Sequence, residues 1–340
     1  NYHKEESYKS SYNRYALANN LTWESSRHRF FRSVELNTSI SLQSDKIDRT
    51  RYVSLSGTQA TPPLSDQEGV HDGSWLPAQY VATGGVESLP FYAYTKLVAR
   101  FGVEGNRAKH DWMVGSDWQM NKNYGRGQIY DPLLPISPGL TTRPRPYYAI
   151  PAGHDFALFL EDRSAVTVGR NRFEIQAGLR ASTLLNISER YDLHGKFFLD
   201  PRVNLRWSFP QVMVAGLPLR FEIGGGVGWH TMTPSLSYLY PDPIYYDWLQ
   251  LNYYHPNPEY RRLNLKTYVV DPTNYHLQAA RNFKWEIRGD ITFGENRLSV
   301  TYFREDMHNG YRSALQYQVM NYRAYDASGI DQSTLTAPPS

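Results

Sequence analysis

Alternation of apolar and polar residues limits the fold of this chain more than any other feature. Side chains of a β-strand point to opposite faces in turn, so a period of two indicates a strand with one apolar and one polar face. In one such segment Phe173, Ile175 and Leu179 form the apolar row, and charged or polar residues lie between them. The pattern is clearest in four segments, at 171–180, 202–209, 219–230 and 284–293. The alternation predicts an all-β, antiparallel fold.

The polar rows of these segments are rich in charge. A sheet that closes into a barrel would turn its apolar rows toward lipid and its charged rows toward a lumen. An Arg or Lys on the lipid side costs about 2–4 kcal/mol at the midplane, which explains why the apolar rows carry no charge. Opposite charges two residues apart, such as Arg220 and Glu222, are expected to pair into a nearly neutral wall. The residues predicted to face the lumen are Arg172, Glu174, Arg180, Arg202, Arg206, Arg220, Glu222, Glu286, Arg288 and Asp290.

Short and long connections between the predicted strands alternate along the chain. We predict about ten strands, including segments near 12–23, 31–46, 91–104, 111–124, 171–184, 276–293 and 297–306. The sequences GNRAKH and GEN form two of the short links. The long loops fall near 47–90, 125–153, 185–199, 232–275 and after 306. Outer-membrane barrels have short periplasmic turns and longer extracellular loops, so this asymmetry favours an antiparallel transmembrane β-barrel.

Two of the long loops, at 125–153 and 238–260, are dominated by proline and tyrosine. Proline fixes φ and a tyrosine ring offers rigid amphipathic surface, so these loops are expected to be ordered and able to recognise a ligand. An aromatic girdle at the membrane interface is the alternative interpretation of the same rings. The residues predicted to bind a ligand are Tyr238, Tyr240, Tyr245, Tyr246, Trp248, Tyr253 and Tyr254.

Composition excludes several classes of protein. The chain of 340 residues has a formal net charge of +3 with acids and bases nearly balanced, so it lacks the charge of a nucleic-acid-binding protein. It contains no cysteine, which excludes disulfides and thiolate metal sites. It also has no apolar run of about 18 residues that could form a spanning helix, and it opens without a secretory segment. We find no repeat and no domain boundary, which predicts one domain over residues 1–340.

Motifs of catalysis and cofactor binding are missing from the sequence. The glycines at 224–228 lie inside an alternating strand and no Gly-Lys-Ser/Thr follows, so we interpret them as relief of crowding in a curved wall. There is no HExxH pair and no G-x-S-x-G turn. Asp155, Glu161 and Asp162 could serve glycoside cleavage or calcium binding, but we interpret them as solvated rim charges. The sequence therefore predicts no enzyme, no cofactor and no metal site.

Four stretches resemble the TonB-dependent outer-membrane receptors, particularly those of the Bacteroidetes. They are FEIQAGLRAS at 173–182, FLDPRVNLRW at 198–207, IGGGVGWHTMTPSLSYLYPDP at 223–243, and HLQAARNFKWEIRGDITFGENRLSVTYFRED at 276–306. In the last stretch, Ala280 and Arg281 stand where the family usually has Pro-Glu. The resemblance covers about 12–312 and rests on the order of the motifs along the chain.

The resemblance implies a 22-stranded barrel with an internal plug domain, in the outer membrane of a Gram-negative bacterium. It implies import of a nutrient (a glycan, peptide, siderophore or corrinoid) with energy from the TonB complex, with outer-membrane lipid around the wall and a surface lipoprotein lid as a further partner. The plug, the TonB-contact segment and a terminal aromatic strand have no counterpart in this chain, which is expected to be a portion of the barrel. The alternative reading is a secreted β-sandwich that binds glycans through its aromatic loops.

Overall fold

The computed structural model describes residues 6–26, 30–57, 59–61, 65–105, 108–137, 143 and 145–339. Within those ranges the chain forms strands joined by turns and loops, with one four-residue helix, α1 (Leu236–Leu239), and two 3-10 turns at 147–149 and 258–260. The strands are β1 (Ser7–Glu24), β2 (Phe31–Ser54), β3 (Gly69–Asp72), β4 (Gln79–Ser88), β5 (Pro90–Glu104), β6 (Ala108–Asn123), β7 (Gly127–Tyr130), β8 (Gly153–Val168), β9 (Asn171–Leu185), β10 (Phe198–Ser208), β11 (Val212–Val214), β12 (Leu217–Met232), β13 (Ile244–Tyr253), β14 (Arg262–Val270), β15 (Ala280–Phe293) and β16 (Asn296–His308).

One large antiparallel sheet dominates the molecule. Ten of its strands lie side by side in chain order, namely β1, β2, β5, β6, β8, β9, β10, β12, β15 and β16. The short strands extend this meander, since β4 continues β5 along β2, β7 pairs with β4, and β11 pairs with β12. The predicted all-β antiparallel fold is confirmed, and the predicted number of about ten strands agrees with the meander.

The large sheet is open in the described part of the chain. Its outer strands β1 and β16 each pair with a single neighbour, β2 and β15 respectively. The sheet is therefore not a closed barrel within this structure.

Strands occupy parts of the chain that the sequence predicts as loops. β2 runs on to Ser54 and β4 begins at Gln79, so the connection predicted at 47–90 narrows to 55–78. β13 and β14 lie inside the long loop predicted at 232–275, where they form a small sheet with β3 in the order β13-β14-β3. Segments rich in tyrosine and β-branched residues suit a strand as well as an ordered loop, and only pairing partners decide between the two.

The two ends of the large sheet differ as the sequence predicts. One end carries short turns, including the two-residue turn in which Gly294 has φ +58. The other carries the long connections, and we call their described residues the loop module: 55–57, 59–61, 65–78, 131–137, 143, 145–152, 186–197, 233–279 and 309–339. A cluster there buries Leu193, Tyr191 and Leu239, which come from two different connections. The connections at 186–197 and 233–279 are therefore packed structure with a core of their own.

The apolar face of the large sheet is exposed to its surroundings. Leu17 is 71% exposed, Leu205 47% and Ile287 57%, and they lie on the first, seventh and ninth strands of the meander. Cross-strand pairs such as Leu205 with Ile175 continue the same apolar row from strand to strand. In the described ranges the small sheet is the only other sheet, and it does not cover this face. No helix of the described residues is long and apolar enough to cross a membrane.

Candidate functional site

The charged face of the large sheet gathers all the residues predicted to face a lumen. The register of the strands places these residues on one face, because residues directly opposite each other in neighbouring strands share a face. Arg206 lies opposite Glu174 on one side and Gly224 on the other, and Gly224 lies opposite Arg288. Three further registered positions place Arg202 opposite Gly178, Glu222 opposite Asp290, and Glu286 opposite Gly226. Whether this face encloses a lumen stays a prediction.

A concavity of about 820 Å³ lies on the charged face. Its lining draws on seven strands, from Asp111 on β6 to Arg297 on β16. A second concavity of about 390 Å³ adjoins it and shares Asn204 and Glu286 as lining residues. The volumes are those of ordinary ligand sites, while the lining is far more charged than that of most small-molecule pockets.

Two groups on this face have one carboxylate held between two arginines. Glu161 on β8 accepts from Arg163, with Nε to Oε1 at 2.7 Å, and from Arg202 on β10. Glu174 on β9 pairs with Arg172 at 2.8 Å and with Arg206 at 3.4 Å, both measured between side-chain N and O atoms. Each group carries two positive charges and one negative charge.

A third group of the same kind lies near the turn between β15 and β16. Asp290 pairs with Arg288, Nε to Oδ2 at 2.8 Å, and with Arg297, Nη2 to Oδ1 at 3.0 Å. Ser299 donates to the same carboxylate. We call the three groups the Arg–acid–Arg triads.

Burial separates the two signs of charge within the triads. The carboxylate side chains of Glu161 and Asp290 are 2% and 11% exposed, whereas the six arginines are 45–62% exposed. The third carboxylate, Glu174, is intermediate at 37%. Within the triads the charge is therefore not nearly neutral, because arginines outnumber acids two to one and are the more exposed groups.

Three glycines of β12 lie on the charged face, where Asn204 covers Gly226 and Arg202 covers Gly228. Gly224, Gly226 and Gly228 alternate with apolar-face residues on β12, so all three point to the charged side. A Cβ at Gly226 would meet the Asn204 side chain at 2.1 Å, which supports the interpretation of relieved crowding there. A Cβ at Gly224 would only touch the Leu205 carbonyl at 3.5 Å, so this position is open space.

Side chains of β10 and β15 flank these glycines on the charged face. They are Arg202, Asn204 and Arg206 on β10 and Lys284, Glu286 and Arg288 on β15. The sequence shows the four glycines of this run but not these neighbours, because they come from strands about 20 and 60 residues away. Register in the folded sheet is what brings them together.

The three carboxylates of β8, Asp155, Glu161 and Asp162, do not form one site. Asp155 accepts from Gln119 and Thr233, while Asp162 lies on the apolar face with His110 and Ser164. Glu161 is the acid of the first triad, so the interpretation as a solvated rim charge is wrong for it. Asp155 and Glu161 share a face but are six residues apart, about 20 Å along a strand. They are too far apart to act as a carboxylate pair.

The predicted ligand-binding aromatics all lie in the loop module, in two different settings. Tyr253 is 5% exposed, so its ring is withheld from a ligand in solution, and Tyr240 is partly buried against the cluster around Leu193. Tyr245 lies under the Arg143 guanidinium, 4.7 Å from its ring centroid. These three rings have structural roles inside the loop module.

The remaining aromatics are partly exposed. Tyr246 and Trp248 alternate on one face of β13 and are each 40% exposed, and Trp248 stacks on Tyr322 with centroids 5.2 Å apart. Tyr254 packs edge-on against Trp75 and also carries the Arg261 guanidinium over its ring. Tyr238 lies against Tyr311 at 5.1 Å. The structure therefore spreads these four rings over separate contacts instead of one pocket.

A buried ion pair fixes the small sheet to the connection between β7 and β8. Arg143 donates to Asp247 through both terminal nitrogens, each at 2.9 Å, and their side chains are 10% and 3% exposed. Thr267 on β14 donates to the same carboxylate at 2.8 Å. Sequence analysis missed this pair, since its two residues are 104 positions apart.

Groups of three or more His, Asp or Glu side chains arranged to hold a metal ion are not found in the part of the chain that the structure describes. Comparison with known proteins adds no assignment, since no protein-family model and no curated protein matches this chain. The resemblance to TonB-dependent receptors accordingly stays a prediction.

Proposed function

We propose that this chain contributes strands to the wall of an outer-membrane β-barrel of the TonB-dependent receptor kind, in a Gram-negative bacterium. In this role the apolar face of the large sheet contacts lipid and the charged face lines the passage of an imported nutrient. The loop module faces outward and receives the ligand. Energy comes from the TonB complex through a plug domain, and a surface lipoprotein serves as a lid. The wall itself carries out no catalysis.

The observation that carries the proposal is the uncovered apolar face. Apolar side chains continue in register across ten strands, and Leu205, Phe221 and Ile287 are between 36% and 57% exposed. Exposed apolar patches on soluble proteins rarely exceed a few hundred Å². Lipid is the surrounding in which such a face is stable, and its near lack of charge matches the cost of charge in a bilayer.

The two ends of the sheet and the charged face support the same proposal. Short turns at one end and long connections at the other are the arrangement of outer-membrane barrels. The concave charged face suits a polar interior. A β-sandwich would need a second sheet over the apolar face, and the small sheet of the described residues packs in the loop module instead.

A cysteine accessibility scan tests the proposal, and the chain has no cysteine of its own to interfere. Single cysteines replace Leu205, Phe221 and Ile287 on the apolar face, or Arg206, Glu222 and Arg288 on the charged face, in cells that carry the protein in their native membranes. We expect the first set to react only with lipid-soluble reagents and the second only with water-soluble ones. If the first set is shielded from both kinds of reagent, the apolar face is a protein core and the proposal is wrong.

A further inference from the structure

We propose that the apolar face of the large sheet carries a binding site for a phospholipid with a primary ammonium headgroup, of the phosphatidylethanolamine class. The site is a hollow of about 570 Å³ with Asp162 in its wall, and we call it the outer hollow. Its lining includes Phe30, Phe101, Trp112, Leu160, Asp162 and Val203. This inference names one lipid partner of the apolar face, so it rests on the proposed function.

Asp162 is a carboxylate within an apolar region of the sheet. It lies opposite Trp112 on β6 and Ala177 on β9, and Leu160 precedes it in the same row of β8. Its side chain is 30% exposed. An acidic side chain that faces lipid needs a cation or hydrogen-bond donors, because hydrocarbon offers neither. Asp162 therefore requires donors from the protein or from a lipid headgroup.

The protein supplies donors to only one oxygen of this carboxylate. Oδ2 of Asp162 accepts from the Ser164 hydroxyl at 2.7 Å and lies 3.0 Å from Nδ1 of His110. Oδ1 is enclosed and has no hydrogen-bond partner among the described residues, an arrangement that is destabilising for a charged acceptor. Because Asp162 also lines the outer hollow and the terminal torsion of an aspartate is soft, a small rotation turns this oxygen toward a ligand there.

Aromatic rings around the outer hollow mark the level of lipid headgroups. Phe30 packs against Phe101 and Trp112, with ring centroids 5.3 Å and 6.1 Å apart. These rings lie near the short connection between β5 and β6, at the end of the sheet that is periplasmic in the proposed function. Aromatic side chains gather at both interfaces of outer-membrane barrels. A headgroup at this level reaches Asp162 while its acyl chains extend along the apolar strands.

The chemistry of the outer hollow selects among headgroups. A primary ammonium combines positive charge with three N–H donors, which suits a carboxylate that has an unmet acceptor. The methylated nitrogen of phosphatidylcholine donates no hydrogen bond, and phosphatidylglycerol has no cation. A divalent metal ion is a poor occupant, because the carboxylate of Asp162 and the imidazole of His110 are fewer protein ligands than zinc or calcium sites use.

Fluorescence quenching in vesicles tests the inference, because Trp112 lines the outer hollow. The full chain is reconstituted into phosphatidylcholine vesicles with a rising fraction of brominated phosphatidylethanolamine, phosphatidylglycerol or phosphatidylcholine, whose bromine atoms quench a neighbouring tryptophan. Subtracting the signal of Trp112→Phe isolates this ring from the other tryptophans of the chain. We expect phosphatidylethanolamine to be preferred at Trp112 by about threefold or more over the other two lipids.

Matched variants locate the headgroup. Asp162→Asn keeps the size of the side chain and removes its charge, and we expect it to abolish the preference for phosphatidylethanolamine. Asp306→Asn removes a carboxylate from the same face on β16 and should leave the preference unchanged. Val203→Phe fills the outer hollow and should weaken the preference, whereas Val300→Phe makes the same change on β16 and should not. Quenching by brominated phosphatidylcholine shows whether each variant is still embedded in the membrane.

Other outcomes would overturn the inference. Equal quenching by the three brominated lipids would exclude headgroup selection and leave the lipid-facing wall intact. A preference for phosphatidylglycerol would assign the outer hollow to an anionic lipid. A preference that survives in Asp162→Asn, or that is lost equally in Asp306→Asn, would mean that Asp162 does not hold the headgroup. If no brominated lipid quenches Trp112, the apolar face is covered by protein, which would refute the proposed function as well as this site.

Discussion

Arg206 and Arg288 face each other across the empty position of Gly224. The three residues are in register on β10, β15 and β12, so a glycine lies between two arginine positions of the charged face. Arg206 pairs with Glu174 on the neighbouring strand β9 at 3.4 Å, and Arg288 pairs with Asp290, two residues along β15, at 2.8 Å. Gly224 therefore leaves open space on the charged face between two arginines that are each paired with an acid.

Removal of the acid at the centre of the first triad is expected to destabilise the sheet. Glu161→Gln leaves Arg163 and Arg202 without their shared carboxylate, and Glu161 is 2% exposed. We expect a loss of about 1–3 kcal/mol in the free energy of unfolding, measured by urea titration in detergent. Glu174→Gln is the matched control in a more exposed triad and is expected to cost less. Equal losses of unfolding free energy in the two variants would show that burial of the acid does not determine its contribution to stability.

Charge on the apolar face is expected to prevent membrane assembly. Ile175→Arg and Gln176→Arg change neighbouring residues of β9 that point to opposite faces. On a lipid-facing side the first substitution costs about 2–4 kcal/mol, while the second adds to a surface that already carries arginines. The measurement is the fraction of protein assembled in the outer membrane. Similar assembly of the two variants would argue against lipid on the apolar face.

The Arg143–Asp247 pair is expected to hold the loop module together. Asp247→Asn removes the charge from a carboxylate that is 3% exposed and leaves the guanidinium of Arg143 in a buried setting, which costs about 3 kcal/mol or more. Limited proteolysis should cut the loop module faster while the large sheet stays resistant. Asp242→Asn is the control, because Asp242 pairs with Arg145 but is 69% exposed. Its protease pattern should match that of the unaltered chain.

The packing of the connection at 186–197 is expected to fail at high pH. Burial, with Tyr240, Tyr275 and Asp271 nearby, raises the pKa of Tyr191 from about 10 to about 12. A phenol whose pKa is raised in the folded state favours folding below its unfolded pKa, and this contribution is lost as pH rises from about 10 through about 12. Its hydroxyl donates to the Leu239 carbonyl, and the tyrosinate cannot do so.

Tyrosinate absorbance at 295 nm checks this prediction. The difference between the unaltered chain and Tyr191→Phe should contain one group that titrates near pH 12, accompanied by increased proteolysis of the loop module. A difference spectrum that titrates near pH 10 would show that Tyr191 is accessible to water and that the packing does not control its ionisation.

Much of the large sheet follows from the sequence alone. Alternation at Phe173, Ile175 and Leu179 predicts both the strand and its apolar face, because a strand has a period of two whatever its neighbours are. The same local rule assigns the ten charged residues to the polar faces of their strands. The short GEN link between two strand segments predicts a hairpin. The sequence also predicts which end of the sheet carries the long connections, since strands that alternate in direction place every second connection at the same end.

The neighbours of each residue across the sheet, and the exposure of its side chain, were decided only by the tertiary structure. Only register placed Gly224 between Arg206 and Arg288, and only depth separated the buried Glu161 from the exposed arginines above it. The loop aromatics show the same limit: Tyr253 and Tyr246 look alike in sequence, yet one is 5% and the other 40% exposed. A local pattern determines the direction of a side chain from its own strand, whereas its neighbours and its access to solvent depend on segments far away in the chain.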